Sequence, residues 1–363
     1  MARNTLSQSK TFVEFLSRVH GKTLTIGMDV HKKSYDVALI SSEGASWACT
    51  GPASASWIIE MIQEHGLDVR LVAYEAGPTG FSTARAFRSA GIECLVAAPA
   101  QIPRPASAAA KTDRLDCLRL AKLAAQGMLH PVTIPTTEEE AARDLVRRRH
   151  DLVKSLRVAK LRIRSRLLFW GVAEPAGLEN WSRAAVRALG LLELPLEARR
   201  TLDSLLRELA FVREELRTVE RQIAELCEQP KDNEVIRHLQ TVPGVGPVVS
   251  ATFRQELFRP ERFERAEELA KYLGLAPVPR QSGESKSRAR LMPTGQKVLR
   301  SLLVEAAWRW KSADPWAQEC YRKLLGRCGL TQKAICALAR RLAIVLWRIS
   351  IERRAYYAGE AVV

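Results

Sequence analysis

The first hundred residues alternate between short apolar runs and turn-forming residues. Five short runs of β-branched or apolar residues, bounded by Gly, Ser, Asp or Pro, lie at 23–30, 34–40, 45–51, 69–75 and 92–98. They predict five strands, and the segments at 54–64 and 80–90 predict helices between the later strands. Three strands in succession, followed by alternating helices and strands, indicate an α/β domain with a sheet of mixed direction.

Beyond a Pro-, Ala- and Ser-rich loop at 102–112, the pattern becomes helical. A helix is expected from Thr112, whose hydroxyl can cap it, to Gly127. A long helix follows from 138, with ten basic residues between 143 and 166. From Leu202 to Leu226, apolar residues recur three and four positions apart, which predicts an antiparallel or intermolecular coiled coil.

These patterns predict three domains. Polar residues and a proline at 229–233 indicate the second boundary, so the expected domains are 1–130, 131–230 and 231–363. The first is α/β, the second is a helical coiled-coil connector, and the third is mainly α, with a last helix at 331–351.

Charge narrows the class of partner. The 363-residue chain has 56 Lys and Arg against 40 Asp and Glu, a net charge of +16, which favours a polyanion. Residues 231–363 hold 24 basic and 13 acidic side chains. No apolar run approaches the ~20 residues that span a bilayer, and the N-terminus lacks a signal-like stretch, so we expect a cytoplasmic protein without membrane contact. Seven scattered cysteines form no zinc-binding pattern.

Four carboxylates stand at element ends in the first domain. Asp29 and Glu75 close the first and fourth predicted strands, and Asp113 and Asp116 lie in the first turn of the following helix. Strand ends on adjacent strands converge at one sheet edge, so the four can meet and hold Mg²⁺ or Mn²⁺, which prefer oxygen ligands. The alternative is structural, because acids are common in turns and in the first turn of helices.

Two segments of the third domain can contact phosphates. Thr241–Pro247 resembles the hairpin of a helix-hairpin-helix element, although a tight turn between packed helices would look the same. The second segment, 279–300, is strongly basic and contains three serines. The predicted nucleic-acid-binding residues of the two segments are Gly244, Gly246, Arg280, Lys286, Arg288, Arg290, Lys297 and Arg300. A serine beside several cations could act as a nucleophile toward phosphorus or merely hydrogen-bond a phosphate.

Three motifs, Ile26–Lys32, Tyr74–Gly80 and Lys111–Asp116, resemble those of the DEDD transposases of the IS110 and IS1111 insertion sequences. The segment from Val242 to Arg300 is similar to that family's C-terminal domain, and the resemblance covers roughly residues 22–310.

The resemblance implies a RuvC-like, RNase H-type fold for the first domain, with Asp29, Glu75, Asp113 and Asp116 as Mg²⁺ ligands. It also implies a catalytic serine that precedes a glycine. Gln281–Gly283 matches that stretch, so Ser282 is the expected nucleophile and Ser285 the second choice.

The family further implies donor and target DNA as partners, together with a noncoding guide RNA from the element itself. Because 166 positions separate Asp116 from Ser282, we expect a neighbouring chain to complete the site in a dimer, and two duplexes to be held by a tetramer. A metal-dependent nuclease of the Holliday-junction-resolvase kind, without a covalent intermediate, is the alternative function. A nucleic-acid-binding scaffold with structural acids is the third.

Overall fold

The computed structural model describes residues 10–103, 113–282, 285–291 and 295–358, with side chains for all of these except 113, 114, 231, 278–282 and 285–290. The chain divides into two compact units, Met1–Thr136 and Thr137–Val363. The first unit contains a five-stranded mixed sheet, and the second is mainly helical.

The strands of the first unit follow the apolar runs closely: they are β1 (Leu24–Val30), β2 (Ser34–Ser41), β3 (Ser46–Pro52), β4 (Val69–Glu75) and β5 (Cys94–Ala97). Their order across the sheet is β3-β2-β1-β4-β5. The first three strands are antiparallel, whereas β4 is parallel to both β1 and β5. The predicted α/β domain with a sheet of mixed direction is therefore confirmed.

Helices cover both faces of this sheet: α1 (Lys10–Val19), α2 (Ser56–Glu64), α3 (Ser82–Ser89) and α4 (Asp113–Ala125). The first three share a core with Ile26, Met28 and Tyr74. Because side chains alternate along a strand, the neighbouring residue Ala73 faces the other way, where it packs against Leu120 of α4. The helix α1 was not expected from the sequence.

Two long helices begin the second unit: α5 (Thr137–Phe169) and α7 (Leu196–Cys227), with the short α6 (Arg183–Gly190) between them. Ion pairs join Arg149 to Glu220 and Arg162 to Glu208, so α5 and α7 run antiparallel. The apolar residues of α7 pack against α5 of the same chain. The apolar face of α7 is thus covered by α5 of the same chain. A coiled coil remains a prediction.

The remaining helices of the second unit are α8 (Pro230–Gln240), α9 (Pro247–Leu257), α10 (Ala266–Tyr272), α11 (Lys297–Ala313), α12 (Pro315–Cys328) and α13 (Thr331–Glu352). The segment 229–233, expected to be a boundary, instead begins α8, with Pro230 in its first turn. Asp232 is buried there and accepts a hydrogen bond from Arg254 of 2.8 Å. The division into three domains stays a prediction.

In the described part of the chain, no helix is both long enough and apolar enough to cross a membrane.

Candidate carboxylate site and serine hairpin

Asp29 and Glu75 occupy neighbouring positions on the two central strands. Met28 pairs with Tyr74 in the parallel register of β1 and β4, so Asp29 and Glu75 are the next residues on each strand. Adjacent strands lie about 4.8 Å apart. Asp29 lies two positions after Gly27, and Glu75 lies two positions after Ala73. Because side chains alternate along a strand, both acids share the face on which α4 packs. Asp29 is half-buried and Glu75 is exposed.

The helix α4 rests directly on the backbone of β1. A Cβ atom at Gly27 would lie 2.3 Å from the carbonyl oxygen of Cys117 and 2.4 Å from the backbone nitrogen of Ala121. Only glycine permits this approach, because any side chain would collide with helix backbone. The buried thiol of Cys117 also donates a hydrogen bond of 3.1 Å to the carbonyl of Asp36 on β2. These contacts fix one turn of α4 over the middle of the sheet.

The first turn of α4 carries the other two predicted acids. Its buried positions include Cys117 and Leu120, and Asp113 and Asp116 stand four positions before them, which places both acids on the same side of the helix. Asp116 is half-buried, and the side chain of Asp113 lies outside the described part. Among the described side chains, no three from His, Cys, Asp and Glu form a group that could hold a metal ion.

Two further polar residues lie at this edge and were missed from the sequence. Asp36 is directly opposite Asp29 in the β1–β2 register, and its carboxylate accepts a hydrogen bond from Thr50. His31 follows Asp29 by two positions, with its Nε2 atom 3.2 Å from Asp29 Oδ2. The signal for Asp36 was present, because a short hairpin with three residues between the predicted strands 23–30 and 34–40 restricts which residues face each other.

The turn at 241–247 joins α8 to α9, and its two glycines differ in role. Gly244 has a φ of +87°, and a Cβ there would lie 2.7 Å from Arg309 Cβ and 2.8 Å from the nitrogen of Trp310. Gly244 is therefore required for packing on α11. At Gly246, which caps α9, a Cβ would meet no atom within 4 Å. Of these two predicted phosphate-contacting positions, Gly246 has the open surroundings.

The basic segment after Pro277 forms a two-stranded hairpin, where the sequence suggested a loop. Its strands are β6 (Pro277–Ser282) and β7 (Ser285–Leu291), and Ser282 pairs with Ser285. The two serines therefore end the two strands on either side of the connection. Four predicted cationic contacts belong to these strands, and their side chains lie outside the described part: Arg280, Lys286, Arg288 and Arg290.

The last two predicted phosphate-contacting residues lie in the first turns of α11. Lys297 is exposed. Arg300 is half-buried, and its Nη1 atom donates a hydrogen bond of 3.1 Å to the carbonyl oxygen of Gly274. Lys297 is thus open to solvent, whereas Arg300 is bonded to the backbone, a difference that the sequence alone does not predict.

Comparison with known families covers both units. A model for DEDD transposases of the IS110 type matches residues 26–170, and a model described as the transposase IS116/IS110/IS902 family matches residues 236–322. The first match includes Asp29, Glu75 and Asp116, and the second includes Ser282.

Individual relatives extend the similarity across most of the chain. A protein of Sinorhizobium fredii named "Putative transposase y4qE" is 33% identical over 307 residues, which cover 77% of this chain and 75% of the relative. The transposase for insertion sequence element IS1111A of Coxiella burnetii is 24% identical, with 92% of this chain and 91% of that protein covered. The transposase for insertion sequence element IS1328 of Yersinia enterocolitica is 26% identical over 290 residues. With the carboxylates, the hairpin and both family matches in place, the chain belongs to the IS116/IS110/IS902 family of insertion-sequence DNA transposases.

Proposed function

We propose that this transposase cuts and rejoins DNA through attack of the Ser282 hydroxyl on a phosphodiester, assisted by Mg²⁺ or Mn²⁺ held by Asp29, Glu75, Asp113 and Asp116. The observation that supports the proposal is the packing of α4 on the sheet face that Asp29 and Glu75 share: Gly27 meets the backbone of Cys117, and the Cys117 thiol donates a hydrogen bond to the carbonyl of Asp36, directly opposite Asp29. The sheet order β3-β2-β1-β4-β5, with two antiparallel and two parallel pairings between neighbouring strands, supports an RNase H-like, RuvC-like fold for this unit.

The donor chemistry at this edge suits a divalent cation. Asp29 and Glu75 share one face at adjacent positions, and Asp36 lies directly opposite Asp29 in the strand register, so three carboxylate-bearing positions are neighbours at this edge, where like charges repel. Oxygen-only ligands of this kind are preferred by Mg²⁺ and Mn²⁺. Such an ion, when bound, polarises the phosphate and stabilises the charge that develops on its oxygens.

The chemical step exchanges one phosphate ester for another. The oxygen of Ser282 forms a bond to phosphorus, the bond from phosphorus to a deoxyribose oxygen breaks, and that oxygen leaves as a hydroxyl with the serine proton. The reverse attack by a new DNA end releases the serine, so no external energy source is needed. The cations of the hairpin, Arg280, Lys286, Arg288 and Arg290, would stabilise the phosphate during this exchange.

Substitution of the two serines tests this function directly. We expect Ser282→Ala to abolish a protein–DNA adduct that survives denaturing electrophoresis, whereas Ser285→Ala retains it. DNA binding should persist in both variants, because neither substitution removes a cation. An undiminished adduct in Ser282→Ala would move the nucleophile elsewhere, and free nicked ends without any adduct would favour the resolvase-like nuclease.

We also propose that a noncoding RNA guides the reaction, with base pairing supplying the sequence specificity. The net charge of +16 supports a second polyanion, but the basic stretch of α5 is partly neutralised: five of its ten cations form ion pairs, namely Arg147, Arg149, Lys154, Arg162 and Arg164. Arg148, Arg157 and Arg166 are exposed cations of the same helix and are the better candidates for RNA contact.

Sequencing of RNA that copurifies with the protein tests the proposal of a guide RNA. A discrete RNA from DNA beside the gene is expected, and random RNA would refute it.

A dimer that assembles into a tetramer fits this chemistry. Exchange between two duplexes breaks four strands, and each Ser282 can hold only one strand end at a time. The apolar residues of α7 pack against α5 of the same chain, so they give no reason to expect assembly. The proposal therefore rests on the number of DNA strands that must be broken. Sedimentation with RNA and both DNA duplexes should show a tetramer, and monomers alone would contradict it.

A further inference from the structure

The two ends of the serine hairpin meet backbone to backbone. Gly295 has a φ of +94°, and a Cβ there would lie 2.5 Å from the nitrogen of Gly274 and 2.8 Å from the carbonyl oxygen of Tyr272. The amide of Gln296 donates a hydrogen bond of 3.1 Å to that same carbonyl of Tyr272. The chain entering β6 and the chain leaving β7 are therefore clamped together at the base of the hairpin.

Tyr272, on the entering side, is itself held on three sides. Its hydroxyl donates a hydrogen bond of 3.1 Å to the carbonyl of Glu256 at the end of α9. The guanidinium of Arg262 lies 4.7 Å from the centre of its ring, and Phe263 packs against it with ring centroids 5.3 Å apart. The base of the hairpin is thus attached to a packed part of the second unit.

Arg300 adds a side-chain bond to the clamp. Its Nη1 atom donates to the carbonyl of Gly274, at 3.1 Å, from the second turn of α11. Arg300 is half-buried with this bond made inside the second unit, in contrast to the exposed Lys297 three positions earlier.

We propose that Arg300 is a positioning residue that fixes the direction of the hairpin, and thereby the place of Ser282, and does not contact a phosphate. The proposal rests on the proposed role of Ser282 as nucleophile. The strand β6 has six residues and extends about 20 Å at ~3.3 Å per residue. A tilt of about 3° at the base would move the far end of that strand by roughly 1 Å, and such a misplacement can slow a reaction about 100-fold.

The test compares Arg300→Met with Lys297→Met and with Lys323→Met, an exposed cation of α12 that serves as the matched charge-deletion control. Two quantities are measured on the full chain with a DNA duplex and its RNA. The first is the rate of adduct formation at saturating DNA. The second is the dependence of DNA affinity on salt concentration, whose slope falls by about one when a phosphate contact is lost.

Arg300→Met should form the adduct about 100-fold more slowly with an unchanged salt slope, whereas Lys297→Met should lower the slope by about one. Arg300→Lys retains an N–H donor and should recover most of the rate, which covers the case in which the Met variant folds poorly. A slope reduced by about one in Arg300→Met, or a wild-type adduct rate in that variant, would overturn the proposal. Absence of the adduct in the wild-type protein would instead refute the serine mechanism itself.

Discussion

The contact between Gly27 and α4 makes the substitution Gly27→Ala an informative perturbation. The added Cβ would lie 2.3 Å from the Cys117 carbonyl oxygen, against about 3.4 Å for an ordinary contact, so α4 must move by roughly 1 Å. Overpacking of this kind costs about 1–3 kcal/mol. Because Asp116 precedes Cys117, the same movement shifts a proposed metal ligand, and we expect adduct formation to slow by about 100-fold.

Urea denaturation followed by circular dichroism measures the loss of stability, and the adduct assay measures the loss of rate. Gly326→Ala is the matched control, because Gly326 lies within α12 and a Cβ there meets no atom within 4 Å. That substitution should stabilise the protein by about 0.5–1 kcal/mol. If Gly27→Ala unfolds at the wild-type urea concentration and forms adduct at the wild-type rate, α4 does not rest on β1 as described. Lost stability with a full rate would show that catalysis does not depend on this contact.

Three further predictions concern other parts of the molecule. Burial raises the pKa of Cys94 to about 12, so above the ordinary thiol pKa of ~8.5 the folded protein keeps a proton that the unfolded chain loses. The free energy of unfolding should then fall by up to ~1.4 kcal/mol per pH unit between these values, and Cys94→Ala should reduce that slope in urea titrations at pH 8 to 10. Arg147→Met should destabilise the protein by about 3 kcal/mol, because it leaves the buried carboxylate of Glu256 unpaired. In chemical denaturation, the double variant with Glu256→Met should regain most of this loss. Additive losses of stability in the double variant would contradict the pairing. Gly244→Ala should lower the melting temperature, whereas Gly246→Ala should leave it unchanged and weaken DNA binding in a fluorescence titration; equal melting temperatures in the two variants would contradict the packing of Gly244.

The five strands could be predicted from the sequence because each is a short β-branched or apolar run bounded by turn-forming residues. The hairpin of β6 and β7 could not, because the segment Arg280–Arg290 has no apolar alternation, and its pairing rests on backbone hydrogen bonds. The helix α1 was missed although Phe12, Phe15 and Val19 show the helical spacing of its buried face.

The candidate site, like the fold, could be predicted from the sequence only in part. Strand-end positions predicted that Asp29 and Glu75 would converge, since the rule depends only on sheet topology. The partners of individual cations were not predictable, because they lie far away in sequence. Arg300 contacts Gly274, 26 positions earlier, and Arg147 pairs with Glu256, 109 positions later. Composition counts both only as positive charge, whereas the structure shows the contact that each makes within the second unit.

The core shared by the long helices bears on how these proteins can be divided and recombined. Val146 of α5, Ile223 of α7, Ile236 of α8 and Ala251 of α9 belong to one apolar cluster, which runs through the position at 230 where the sequence suggested a boundary. A chimera of two relatives joined at 230 would combine halves of two different cores and should aggregate. A junction near 136 leaves both cores intact. Exchange of sheet domains between relatives therefore has one natural crossover point.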